Sequence, residues 1–134
     1  MMEMKKLIAA FKVLRLLKNW QAYFKDFLGM YNGRTVVYRL RNNIKLLIRG
    51  GTTDRNVFND IVIYEEYSPQ GFKINRDDTV LDIGANIGIF SIYAASKAIN
   101  GRVYSFEPLK SNFEIFCKNI KFNDFNNVSA FQEA

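Results

Sequence analysis

Residues 80–88 read Val-Leu-Asp-Ile-Gly-Ala-Asn-Ile-Gly, an apolar strand that runs into a glycine-spaced turn and then a helical segment, and a second strand, 102–106, closes on Glu107 and Pro108. A strand, a tight turn, a helix and another strand in that order fold as a βαβ unit, because parallel strands need a long crossover. Gly84 and Gly88 permit sharp turning and close approach to the backbone. Asp82 stands near the strand's carboxyl end, the edge at which open parallel sheets hold ligands.

Glycine spacing narrows the ligand. The dinucleotide fingerprint places glycines at relative positions 1, 3 and 6 so that backbone amides can meet a pyrophosphate. Counted from Gly84 those positions are Gly84, Asn86 and Ile89, so two of the three fail. Ile89 would put a branched side chain where close helix-strand packing wants a hydrogen, whereas Asn86 is the kind of residue that best tolerates positive φ after glycine. Such a turn can hold a ligand without a pyrophosphate. Glu107 lies 23 residues after Gly84, a separation that suits one helix and one strand, and a carboxylate there can accept ribose hydroxyls. A lone acid at a strand end is ordinarily a solvated loop residue or a helix cap; it gains meaning from residues 80–88. This stretch is similar to motif I of class I S-adenosylmethionine-dependent methyltransferases, in which the Asn variant is typical.

Composition excludes several other chemistries. The chain of 134 residues has no histidine and a single cysteine, Cys117. His-based triads and most catalytic zinc sites are therefore excluded, no metal site is expected, and no intrachain disulfide can form. In its helical setting Cys117 reads as a small buried hydrophobe. The net charge of +6 is uneven: residues 1–49 hold eleven Lys or Arg against two acids, and the remainder holds eight against eleven. These cations are not joined to a recognisable nucleic-acid module, so no nucleic-acid partner is expected. The longest early apolar run, residues 7–11, falls far short of a membrane span, and Lys12, Arg15 and Lys18 break any secretory core, which leads to a cytoplasmic reading.

The first 28 residues carry Met4, Leu7, Ile8, Phe11, Leu14, Leu17, Phe24 and Leu28 near a 3.6-residue repeat. This predicts a packing or dimerising helix, with a weak contact to anionic lipid as the alternative that would make the protein peripheral to a membrane. Residues 35–40 and 44–48 read as a β-hairpin about an asparagine turn. A helix then opens at Thr53 and Asp54 and stops at Ser68-Pro69-Gln70-Gly71. From Val80 the alternation is regular: strand 80–83, helix 87–99, strand 102–106, helix 109–122 and strand 128–132. Leu109, Phe113, Phe116 and Ile120 form the stripe expected to cover the sheet, and Ser111 with Glu114 has capping-box spacing.

The fold class is therefore α/β: the N-terminal half of a doubly wound, Rossmann-like parallel sheet, preceded by an N-terminal helix and a β-hairpin. Residues 1–30 form a basic helical segment, 31–79 a hairpin and helix, and 80–134 a partial, truncated cofactor-binding domain. A half sheet exposes a strand edge and an apolar flank, so an oligomer or a complementing C-terminal segment is expected.

Residues 49–134 resemble the FkbM-type methyltransferases in Arg49-Gly-Gly-Thr-Thr-Asp54, Glu65-Glu66-Tyr67, residues 80–88, Phe106-Glu107-Pro108, and the helix carrying Asn119 and Asn123. The resemblance implies an S-adenosylmethionine cofactor and O-methylation of a hydroxyl on a small molecule or glycan, a sugar or secondary metabolite. It implies that Asp82, Gly84, Ala85, Asn86 and Gly88 line the methionine end of the cofactor and that Glu107 holds the ribose. Asp54 and Tyr67 would approach the active site, although as residues they read equally as a helix cap and a packed aromatic. Catalytic residues are not identified. Two other functions fit the half-fold: a nicotinamide-nucleotide oxidoreductase, disfavoured by Asn86 and Ile89, and a noncatalytic interaction module using the basic helix.

Overall fold

The computed structural model describes residues 2–67 and 73–134, and the expected helix stop at residues 68–71 lies outside them. The chain divides into two compact units, Met1–Tyr67 and Ser68–Ala134.

In the first unit, α1 (Met2–Leu16) and α2 (Trp20–Phe27) precede the strands β1 (Thr35–Arg39) and β2 (Lys45–Arg49). The single long helix expected over 1–28 is broken because residues 17–19 are recruited by the hairpin. Leu17 forms an antiparallel bridge with Leu40, the Lys18 N–H donates to the Arg39 carbonyl, and the Asn19 amide both donates to Val37 and accepts from the Arg39 N–H. The hairpin pairs Val36 with Ile48 and Tyr38 with Leu46, and Asn43 takes the left-handed conformation its turn requires, with φ 71°.

Most of the expected apolar stripe of α1 does not face the core. Ala9 and Val13, with Leu17 of that stripe just after the helix, are buried one turn apart, whereas Met4, Leu7, Ile8, Phe11 and Leu14 are exposed. The helix carries two apolar faces, and the narrower one, built on small and β-branched residues, is the face that packs. The core beneath it joins Tyr23, Tyr38 and Phe58, with Tyr38 and Phe58 at 5.0 Å in an edge-on arrangement. The Tyr38 hydroxyl donates to the buried Asp26 carboxylate at 2.5 Å; burial, and then this bond, raise the Tyr38 pKa above the usual phenol range. Beyond the hairpin, α3 (Asp54–Phe58) continues into a π-helical turn, Asn59–Ile63.

The second unit holds β3 (Thr79–Ile83), α4 (Ile89–Lys97), β4 (Arg102–Phe106), α5 (Lys110–Asn123) and β5 (Val128–Phe131). The strands form a parallel sheet in the order β3-β4-β5, with Leu81 beside Tyr104 and Tyr104 beside Ser129. This is the expected α/β arrangement. Alternation gives the sheet two unlike faces. Val103 packs with Ala94 and Ala95 of α4, and Val80, Phe90 and Val128 close around them, while Leu81 and Ile83 point the other way and are 66% and 72% exposed. The amide of Asn127 satisfies the last carbonyls of α4, at Ala95 and Ala98.

On α5 Phe116 of the expected stripe is buried, but Ile115 and Asn119 are buried beside it, Phe113 and Ile120 are half-buried, and Leu109 is 62% exposed. Leu109 precedes the helix in extended conformation, and Ser111 makes no capping bond there. Cys117 is exposed, because it falls on the side of α5 opposite to these contacts. Phe116 lies against Gly88, which has φ +82°, and a Cβ on Gly88 would stand 1.9 Å from the ring. Replacing Gly88 with Ala combines left-handed strain with overpacking, for an expected cost of about 2–4 kcal/mol, read as a lower urea midpoint with unchanged slope.

Candidate functional site

Because Ile83 is in register with Phe106, the chain leaves β3 and β4 at adjacent points on the carboxyl edge of the sheet. The turn after β3 folds onto that edge. The Phe106 carbonyl accepts from the N–H groups of both Gly84 and Ala85 at 2.9 Å, and the Gly88 N–H returns to the Ala85 carbonyl at 2.8 Å. The Asn86 N–H donates to the Glu107 carboxylate at 2.7 Å. Gly84, Asn86 and Gly88 all take positive φ, at 79°, 54° and 82°, which is why these residue types occupy those positions. The N–H groups of Gly84, Ala85, Asn86 and Gly88 are thereby committed within the protein.

Glu107 is 4% exposed. Besides the Asn86 N–H it accepts the Leu109 N–H at 2.9 Å and the Asn112 side-chain amide at 3.3 Å, both on its other oxygen. The carboxylate therefore secures the chain ahead of α5, where capping by Ser111 and Glu114 was expected; Glu114 instead lies 4.0 Å from Lys110 on the exposed face. Of the roughly four acceptor positions on a carboxylate, these bonds take three.

Asp82 sits one residue before the end of β3 and is turned toward α4, where the Ser91 hydroxyl donates to it at 2.5 Å. Ser91 is in turn 2.8 Å from the Ser105 hydroxyl on β4, and all three are buried. Burial raises the Asp82 pKa, the Ser91 hydrogen bond partly opposes this, and the charge of Glu107 raises it further. Two carboxylates within electrostatic reach of each other favour a cationic ligand.

The site residues divide into a frame and a ledge. Asp82, Ala85, Gly88 and Glu107 are buried, whereas Gly84 is exposed and Asn86 half-exposed. A Cβ on Gly84 would meet nothing within 4 Å, so open space lies above it. Asn119 holds the turn from below, donating to the Ile87 carbonyl at 2.9 Å, and Asn123 donates to the Asn119 carbonyl. Sequence reasoning passed over Ser91, Ser105 and Asn112. The available signal was Ser91 itself, a polar residue among Ile89, Phe90 and Ile92 at the start of an apolar helix.

In the first unit, Asp54 is fully buried and accepts from the Arg49 backbone and guanidinium at 2.8–3.0 Å, a structural ion pair at the start of α3. Tyr67 is 56% exposed. Cavities of about 260 Å³, between α1, α2 and α3, and about 380 Å³, at Ile99, Arg102 and Phe125, do not include the glycine turn.

Residues 55–133, more than half of the chain, match the TRM5/TYW2 methyltransferase domain. The chain belongs to this family. Members of the TRM5/TYW2 family depend on S-adenosylmethionine, so the class I methyltransferase reading of motif I stands, while the FkbM type is not the family matched. A stretch of 53 residues is 51% identical to the AMB antimetabolite synthetase AmbE of Pseudomonas aeruginosa, covering 40% of this chain and 2% of that protein. Over 64 residues the chain is 36% identical to the tRNA(Phe) (4-demethylwyosine(37)-C(7)) aminocarboxypropyltransferase of Methanocaldococcus jannaschii, covering 48% of this chain and 26% of that protein. The crystal structure of M. jannaschii TYW2 in complex with AdoMet superposes with TM-score 0.57 at 24% identity, over 74% of this chain and 43% of that one, and shows the shared Rossmann-like fold. The chain thus spans about a quarter or less of the curated relatives it matches.

The raised Asp82 pKa has a definite consequence. The folded state holds that proton more tightly than the unfolded chain, so the ionised group subtracts stability above its folded-state pKa and not below the ordinary carboxylate range. Asp82→Asn, which can still accept from Ser91, is expected to melt higher than the parent at neutral pH. This advantage should shrink as the pH falls through the folded-state pKa, as thermal melts of both chains across the acid range would measure.

Proposed function

We propose that the turn at 84–88 and Glu107 together bind S-adenosylmethionine, and that the protein is a methyltransferase acting on a hydroxyl of a small molecule or glycan. The observation that carries this reading is the Asn86 N–H to Glu107 bond, which makes one preorganised element of the turn and the second acid. In this assignment Glu107 also accepts a ribose hydroxyl, and Gly84 gives the ligand room to lie against the backbone. Asp82, Ala85, Asn86 and Gly88 shape the methionine end, with Asp82 contributing negative charge. The donor set fits the ligand: the committed amides suit a cofactor without a pyrophosphate, and the two carboxylates suit a cationic one.

Bound there, S-adenosylmethionine supplies a methyl group on a positively charged sulfur. The part of this chain is to fix the cofactor so that an acceptor oxygen can lie in line with that methyl, positioning that accounts for much of such a rate enhancement. Among this chain's own residues, which include no histidine, the groups able to take the hydroxyl proton are carboxylates, lysines and tyrosines. A small-molecule acceptor is supported by the 51% identity to an antimetabolite synthetase. A cytoplasmic setting is compatible with the exposed free thiol of Cys117.

A second reading, a tRNA acceptor, is favoured by the 36% identity to a tRNA-modifying enzyme. Retention of tRNA by the chain at physiological salt would move the acceptor to that class.

Titration calorimetry with S-adenosylhomocysteine and with NAD tests the cofactor assignment. The first is expected to bind and the second not, and Glu107→Gln should weaken S-adenosylhomocysteine by roughly 10- to 100-fold, the scale of a lost charged hydrogen bond. Binding of NAD alone would overturn the reading.

A further inference from the structure

Among the described residues of its own unit, nothing covers the outward face of α1. Met4, Leu7, Ile8, Phe11 and Leu14 follow helical spacing and are 64%, 72%, 51%, 66% and 42% exposed, while Ala9 and Val13 on the opposite side bury the helix against its own unit. Five large apolar side chains on a single face of a three- to four-turn helix exceed the scattered apolar exposure normal for a protein surface.

The charge around this face selects what covers it. Arg15 is exposed and falls on the same face, one turn beyond Phe11 and three turns beyond Met4. The 49 residues that include α1 carry eleven cations against two acids, and one of those acids, Asp26, is 1% exposed and 3.5 Å from Arg55. Two copies meeting through α1 would bring these basic segments together, which like-charge repulsion opposes. An anionic lipid surface matches both properties: acyl chains take the apolar side chains, and headgroups meet Arg15. Among the described residues no helix is long and apolar enough to cross a membrane, so the geometry is that of a helix lying in the interface.

We propose that α1 docks the protein on anionic membrane surfaces through Met4, Leu7, Ile8, Phe11 and Leu14, with Arg15 as a headgroup contact. The assignment is independent of the cofactor site. It is tested by flotation of the full chain with phosphatidylcholine vesicles with and without phosphatidylserine. The chain is expected to float with the anionic vesicles and not with the neutral ones. Leu7→Glu combined with Phe11→Glu should reduce bound protein at least about tenfold, and Arg15→Gln about fivefold. Both substitutions sit on the exposed face, so the thermal melt should stay within a few degrees of the parent. Equal binding to neutral vesicles, no flotation at all, or a double variant that floats like the parent would overturn the proposal. So would a dimer in sedimentation that the double variant dissolves, which would identify a second copy as the occupant.

Discussion

The carboxylate of Glu107 is the constraint on which the carboxyl edge of the second unit's sheet depends. It stands immediately after β4, almost fully buried, and accepts hydrogen bonds from the turn after β3 and from the segment entering α5. Hydrogen bonds to an ionised acceptor contribute about 1.5–3 kcal/mol each, and a buried carboxylate without them would be strongly unfavourable. The two loops therefore hold their shape together: Asn86 can keep positive φ because its amide has a charged partner, and the chain reaches α5 from an extended Leu109 because Glu107 secures that residue's N–H. Phe116 and Asn119 complete the arrangement from α5 by covering Gly88 and bonding to Ile87.

The same frame costs stability at Asp82. A carboxyl group held beneath the turn, hydrogen-bonded by the Ser91 hydroxyl and with Glu107 nearby, is disfavoured in its charged form. Such a group is unusual as pure scaffolding, since an apolar residue would pack there without that penalty. Perturbed carboxylates of this kind concentrate where a ligand restores the charge balance. In the first unit, by contrast, the buried acids are used structurally: Asp54 is enclosed by Arg49, and Asp26 receives Tyr38.

Much of the fold was legible in the order of strands, turns and helices. The strands from β3 to β5 fall where apolar residues with period two alternate with glycine or asparagine turns, and the parallel order follows from the helices between them. The residues of the turn were legible too, because Gly84, Asn86 and Gly88 are the types that positive φ demands. What could not be read was which apolar residues are covered. In α1 the conspicuous stripe of large residues faces outward while Ala9 and Val13 pack, and in α5 Leu109 lies outside the helix while Ile115 and Asn119 lie inside. Periodicity reports that a face is apolar and carries no information about its neighbour.

The sequence by itself determined the βαβ order, the left-handed turn and the mismatch to the dinucleotide fingerprint, because these rest on local sterics and on spacing along the chain. Only the tertiary structure decided that Glu107 ties two loops and that Asp82 is buried against Ser91 and Ser105. The same holds for the break at residues 17–19 that divides the N-terminal helix. Each of these depends on a hydrogen bond or packing contact between residues distant in the chain, whose partners are fixed by strand register and helix placement rather than by any pattern that neighbouring residues display.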